Sequence, residues 1–140
     1  MTDWEELLAK SGCRITAPRR AVIQVLETAT TPLQPQEILD SARSIHENLG
    51  LVTVYRTLNL LTEHNLVRRV HREGEDGCHG FFRASPGHHH AVICERCGAA
   101  VEFAGDDDLD RLVARVQAGT GYRIDDHLLQ LYGICPNCQH

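Results

Sequence analysis

The chain has 140 residues, 42% hydrophobic and 24% charged, with a formal net charge of −5. That size and composition suit one ordinary domain or two small ones and exclude low-complexity and disordered classes. No run approaches the roughly 18–20 apolar residues of a membrane span, and the opening Met1-Thr-Asp-Trp-Glu-Glu has no signal-peptide pattern, so a cytoplasmic protein without a membrane partner is expected.

In chain order, Trp4 to Lys10 predicts a short amphipathic helix with Trp4, Leu7 and Leu8 on one side. Thr16-Ala-Pro18 opens the next helix, Pro18 being tolerated in a first turn, and its apolar set is Ala21, Val22, Val25 and Leu26. Thr30-Thr-Pro-Leu breaks it. Pro35 starts a third helix carrying Ile38, Leu39, Ala42 and Ile45, and Gly50 ends that stretch. A fourth helix is predicted from about Thr53 to His64, burying Val54, Leu58 and Leu61. Its other face holds Thr53, Arg56 and Asn59, with Tyr55 beside them.

Leu66 to Val70 alternates like a strand, Gly74-Glu-Asp-Gly77 reads as a turn, and a second strand follows near Phe81. Helices followed by a β-hairpin describe a winged helix-turn-helix over residues 1–84, with the fourth helix aimed at a major groove. There Arg56 can reach guanine, and Tyr55 and Thr53 can meet thymine methyls or phosphates. A plain helical domain with solvated Arg and Tyr fits the same pattern. Charge opposes a broad DNA footprint: residues 1–76 carry nine Lys/Arg against eleven Asp/Glu, and residues 77–140 five against eight. The clusters Arg14, Arg19, Arg20 and Arg68, Arg69, Arg72 restrict any such contact to a confined face.

Ser85-Pro-Gly87 reads as the linker into a second domain, residues 85–140. His88 to Ile93 and Ala99 to Phe103 are expected strands, and Asp106-Asp-Asp108 caps a helix whose buried stripe would be Leu109, Leu112, Val113 and Val116. Tyr122 to Ile124 and Leu128 to Ile134 return as strands. So small a unit barely closes a core unaided, and an exposed sheet edge can pair across a dimer axis. The expected class is α+β, with a metal stapling the smaller part.

The staple is visible in Cys94-Glu-Arg-Cys97 and Cys135-Pro-Asn-Cys138, two pairs that supply the four thiolates of a closed zinc site without a catalytic position. In a cytoplasmic chain, cysteines serve as ligands more often than as disulfides. Five histidines, His71, His79, His88, His89 and His90, crowd into twenty residues. On a strand, His88 and His90 face one way and His89 the other, so one strand can feed two sites. Glu102, Asp110 and His127 are candidate companions. Cys78 adds a soft ligand that favours zinc over iron or manganese, and His71 or His79 can complete its set. Cys13, with no histidine near in sequence, is read as a small buried residue.

Arg14-Ile-Thr-Ala-Pro-Arg-Arg20, Thr53-Val-Tyr-Arg-Thr-Leu58, His88-His-His-Ala-Val-Ile-Cys-Glu-Arg-Cys97 and Leu131-Tyr-Gly-Ile-Cys-Pro-Asn-Cys138 resemble the ferric uptake regulator family along nearly the whole chain. The resemblance implies a dimeric metal-dependent repressor with a winged-helix domain and an α/β dimerisation domain. It implies a structural zinc at Cys94, Cys97, Cys135 and Cys138, and groove readers Tyr55 and Arg56 supported by Arg19. His88, His90, Asp110 and His127 resemble a second site within the dimerisation domain, Asp110 needing one inserted residue. Cys78, a histidine of the run and Glu102 resemble the sensory site of zinc uptake regulators.

The leading expectation is a zinc-responsive repressor of metal homeostasis genes. It would act as a homodimer on a palindromic operator in double-stranded DNA, with one structural and one or two regulatory zinc ions per chain. An iron, manganese or peroxide sensor of the same family competes with it. A zinc hydrolase or deaminase is remote, since no Pro-Cys-x-x-Cys or His-Glu-x-x-His occurs, the proline lying inside the second cysteine pair, and no catalytic residue is assigned. A metal-stapled interaction module without DNA is a third reading.

Overall fold

Capping chemistry sets the start of each early helix in the computed structural model, which describes residues 2–71, 79–85, 87–105 and 108–140. Helix α1 (Asp3–Lys10) begins at a capping box: Thr2 Oγ1 accepts from the Glu5 N–H, and Glu5 Oε2 accepts from the Thr2 N–H at 2.7 Å. The other Glu5 oxygen accepts from Arg20 Nε at 2.6 Å, although Glu5 is only 2% exposed. The Thr2 N–H, with Arg20 in support, holds the Glu5 carboxyl below its ordinary range against the opposing effect of burial. Arg20 is thus paired with a buried carboxylate, while its own side chain stays 56% exposed.

Helix α2 (Ala17–Thr28) is capped by Thr16 with Pro18 in its first turn, and α3 (Pro35–Ala42) follows Gln34. Helix α4 (Leu51–Glu63) starts two residues before the expected Thr53, with Gly50 at its cap. The helices close on Leu8, Val22, Leu26, Ile38, Leu58 and Leu61. One expected core residue lies elsewhere. Ile45 is 50% exposed because α3 stops at Ala42, and Leu49 enters the core in its place. The connecting turn is tied by Arg43 Nε donating to the Leu49 carbonyl at 3.0 Å.

Strands β1 (Val67–His71) and β2 (His79–Arg83) form an antiparallel hairpin, from Val67 opposite Arg83 to His71 opposite His79. Phe81 exchanges backbone hydrogen bonds of 2.9 and 2.8 Å with Leu33, which anchors the hairpin to the segment before α3. The expected turn at 74–77 lies outside the described residues. With α3 and α4 as the turn motif, this is a winged helix-turn-helix. Gly80 is required by proximity: a Cβ there would sit 2.7 Å from Cβ of the fully buried Pro32, a ring that cannot rotate away. Gly80→Ala should destabilise this unit by about 1–3 kcal/mol through overpacking. An unchanged urea midpoint would refute that.

The chain divides into two compact units, Met1–Ala84 and Ser85–His140. In the second, β3 (His89–Cys94) is the centre of a three-stranded sheet ordered β4-β3-β5. It pairs antiparallel with β4 (Ala100–Ala104) and parallel with β5 (Gln130–Gly133). Helix α5 (Asp108–Thr120) connects β4 to β5. The expected Asp106–Asp108 cap falls largely outside the described residues.

Two expectations for this unit are corrected. Tyr122 to Ile124 forms no strand, and the returning strand shortens to Gln130–Gly133, because residues 121–129 find no ladder partner. The α5 stripe is not buried either: Leu112 is 44% and Val116 39% exposed, and Tyr122, Leu128, Val101 and Leu131 are also exposed. One short sheet does not cover that helix face within a single chain.

Candidate functional site

Parallel pairing of β3 with β5 creates both metal-binding candidates. Ala91 lies opposite Gln130 and Cys94 opposite Gly133, a constant offset of 39 (130 − 91 and 133 − 94). Continued three residues towards the N-terminus, the same register sets His127 beside His88. Continued towards the C-terminus, it sets the two Cys-x-x-Cys loops side by side. One end of the pairing carries imidazoles and the other thiols.

At the thiol end, Cys94 is the buried last residue of β3. Gly98 closes the first loop by donating to the Cys94 carbonyl at 2.9 Å, with φ of 77°, a left-handed angle that suits glycine. Cys135 caps the short helical turn Pro136–Cys138 and Cys138 ends it, its N–H donating to the Cys135 carbonyl at 3.0 Å. Arg96 Nη1 reaches across to the Cys138 carbonyl. The four Sγ atoms lie within 4.8 Å of one another, and Cys97 and Cys135 are 3.8 Å apart. Tetrahedral zinc with Zn–S of about 2.3 Å separates its sulfurs by about 3.8 Å, so the donor set fits zinc.

The protons on this cluster are unevenly held. Backbone N–H groups of Cys97 and Cys135 lower the Cys94 thiol to about 6, and the Cys135 N–H lies 3.4 Å from Cys94 Sγ. Cys138 is raised to about 12, first by its hydrogen bond with the Cys135 side chain and then by burial. The Cys94 thiolate forms readily, whereas Cys138 holds its proton. A cation is what allows all four to ionise together.

At the imidazole end, His88 Nε2 lies 3.1 Å from His90 Nε2 and 2.9 Å from His127 Nε2. His90 is 5% exposed and its ring packs on Phe103, its cross-strand partner, with centroids 5.6 Å apart. Three imidazoles turning nitrogens on one point suit a shared cation. Nitrogen donors at about 2.0–2.1 Å from zinc would lie about 3.3 Å apart, close to what is seen. Among the described residues, these three histidines and the four cysteines are the groups spaced to hold a metal ion.

The remaining candidates are placed separately. Asp110 is exposed in the first turn of α5 and is not part of the histidine group. His89 faces away from His88 and His90; its Nδ1 is buried with no hydrogen-bond partner among the described residues. Glu102 shares that opposite face through its pairing with Ala91, and its Oε2 accepts from the Ser85 N–H at 2.9 Å. His71 is exposed at the end of β1, in register with the His79 backbone. Cys78 lies outside the described residues. Cys13 is partly buried against the helical core.

On the first unit, α4 buries Val54, Leu58 and Leu61 and turns Arg56, Asn59 and the 49% exposed Tyr55 outward, with Thr53 half-buried. Tyr55 also lines a shallow pocket with Gln34, Leu51, Arg69 and Phe81. Arg19 is held at the start of α2, its Nη1 donating to the Arg14 carbonyl at 2.7 Å. One contributor was not anticipated from sequence: Gly105, whose backbone lies directly against the His88 ring. A lone glycine after a strand gives no local signal of that contact.

The ferric uptake regulator family profile matches residues 10–132. A ferric uptake regulation protein of Legionella pneumophila is 34% identical over 134 residues, covering 94% of this chain and 96% of that protein. The solved Helicobacter pylori ferric uptake regulator, described with three functional metal-binding sites, aligns at a TM-score of 0.66 and 28% identity over 98% of this chain and 89% of its own. A zinc uptake regulator complexed with zinc and DNA aligns at a TM-score of 0.77 over 96% of this chain and 89% of its own. At 23% identity, that last likeness concerns the fold alone.

Proposed function

Because this chain belongs to the ferric uptake regulator family, whose members are transcriptional regulators rather than enzymes, we propose that it is a zinc-responsive DNA-binding repressor of metal homeostasis genes. The observation that carries the zinc preference is the donor chemistry: an all-thiolate group and an all-imidazole group, with no carboxylate in either among the described residues. Imidazole suits zinc, as it suits iron, copper and nickel, whereas manganese and magnesium favour carboxylate and water ligands, so the donor set argues against manganese and leaves iron as the competitor. The four cysteines hold a structural ion, and His88, His90 and His127 hold a regulatory one. His71, Cys78, His79, His89 and Glu102 are the further candidates for a second regulatory ion, which the resemblance supports; Asp110 is the candidate fourth ligand beside His88, His90 and His127.

The outward face of α4 supports the DNA part of this reading. Arg56 and Tyr55 enter the major groove and Arg19 meets the backbone. The uncovered stripe of Leu112 and Val116, with Val101 and Leu131, supports a homodimer, because a second copy removes that apolar surface from water. A two-fold dimer in turn reads a palindromic operator. The relatives named for ferric uptake keep iron as the competing signal.

One titration separates the two. Protein carrying only the cysteine-bound zinc is mixed with a fluorescein-labelled palindromic duplex selected from a random library, and anisotropy is followed with zinc, iron(II) or manganese(II). Zinc should tighten DNA binding on the order of 10–100-fold, and DNA must tighten zinc binding by the same factor. Equal DNA affinity with and without the regulatory zinc would sink this reading. A response to iron(II) alone would favour the competing one.

A further inference from the structure

We propose that Gly105 is a positioning residue for the three-imidazole centre, acting through the His88 ring. This rests on reading that centre as a metal site. Gly105 follows β4 directly, and its N–H donates to the His88 carbonyl at 2.8 Å, one step beyond the pairing of His89 with Ala104. The bond fixes the Gly105 α-carbon beneath the imidazole. A Cβ on Gly105 would lie 2.0 Å from His88 Cδ2, 2.9 Å from Nε2 and 3.0 Å from Cγ.

Carbon atoms in contact settle at about 3.5–4.0 Å, so no side chain fits there while the ring keeps its place. The requirement is for empty space and not for backbone freedom: Gly105 lacks the left-handed angle found at Gly98 and Gly121. An alanine can therefore keep the strand geometry, and the ring must yield. Cδ2 adjoins Nε2, the atom that meets both His90 and His127. A displacement large enough to relieve the clash separates the three nitrogens. The effect stays local, since Cys94 and its partners lie at the other end of the β3–β5 pairing.

Cobalt(II) titration of the full-length chain tests this, because cobalt reports each donor set by its own absorption. Thiolate ligands give intense charge-transfer bands and imidazoles only weak ligand-field bands. In wild type, one equivalent should show thiolate bands and a second should not. Gly105→Ala should keep the first unchanged and weaken the second on the order of 10–100-fold, the usual effect of losing the orientation of a ligand ring. The control is Gly119→Ala, where an added Cβ meets nothing within 4 Å. The double variant Gly105→Ala/His88→Ala should bind the second cobalt no more weakly than His88→Ala alone.

An unchanged second equivalent in Gly105→Ala overturns the proposal. So does loss of the thiolate bands, which would mean that the glycine supports the whole unit. The DNA titration stands apart from this readout: a regulator insensitive to zinc would defeat the proposed function and leave the cobalt comparison intact.

Discussion

Replacing Cys97 with Ser should remove one zinc per chain and unfold the second unit, while the helical unit remains folded. The sheet there has only three short strands, and the connecting helix presents an exposed apolar face. Residues 85–140 thus have little core beyond Ala91, Ile93, Cys94 and Ala100. A structural zinc in a small domain contributes about 10–16 kcal/mol of apparent binding free energy near neutral pH, more than such a core can replace. Hydrogen exchange should show loss of protection across β3 and β5, with the core of Leu8, Leu26, Ile38 and Leu58 unaffected. Retained protection in the second unit, with zinc content lowered, would contradict the assignment.

The same centre predicts a pH dependence with a definite sign. Cys94, lowered to about 6, is thiolate at neutral pH in the metal-free chain, whereas Cys138, raised to about 12, keeps its proton. Zinc must expel the protons that remain, so binding releases protons and weakens as pH falls. Zinc competition at successive pH values should show affinity falling on acidification, more steeply once Cys94 itself begins to protonate.

The second large effect belongs to the first unit. Arg56→Ala should weaken DNA binding by about 1–3 kcal/mol, on the order of 10–100-fold, and relax base preference at one operator position. Thermal stability should not change, because Arg56 is exposed and the face of α4 that holds the fold consists of Val54, Leu58 and Leu61. Anisotropy against the selected duplex and a set of single-base variants measures both effects. A uniform loss across all variants would make Arg56 a phosphate contact instead of a base reader.

Much of this was legible along the chain. Thr16, Pro18 and Pro35 mark helix starts because caps act within one turn, and the stripes of α2 and α4 mark buried faces because side chains recur every 3.6 residues. The alternation that puts His88 and His90 on one face and His89 on the other is equally local. The misplaced features all depend on distant partners. Ile45 has helical spacing, yet Leu49 occupies the core. Leu112 and Val116 have the spacing of a buried stripe, yet no described residue of their own unit covers them. Tyr122 to Ile124 has strand-forming residues, yet no neighbouring strand offers hydrogen bonds there.

By itself the sequence determined the donor atoms: four thiols in two tight loops, a run of imidazoles, and a helix with Tyr55 and Arg56 on its polar side. Only the tertiary structure decided which donors meet. The parallel register of β3 and β5, with its offset of 39, brings His127 to His88 and the second cysteine loop to the first. It does not bring in Asp110, which the intervening helix carries to an exposed position. It also set Gly105 beneath the His88 ring. The physical reason is that ligand identity is a property of each residue, whereas a coordination sphere is defined by backbone hydrogen bonds between strands about 40 residues apart.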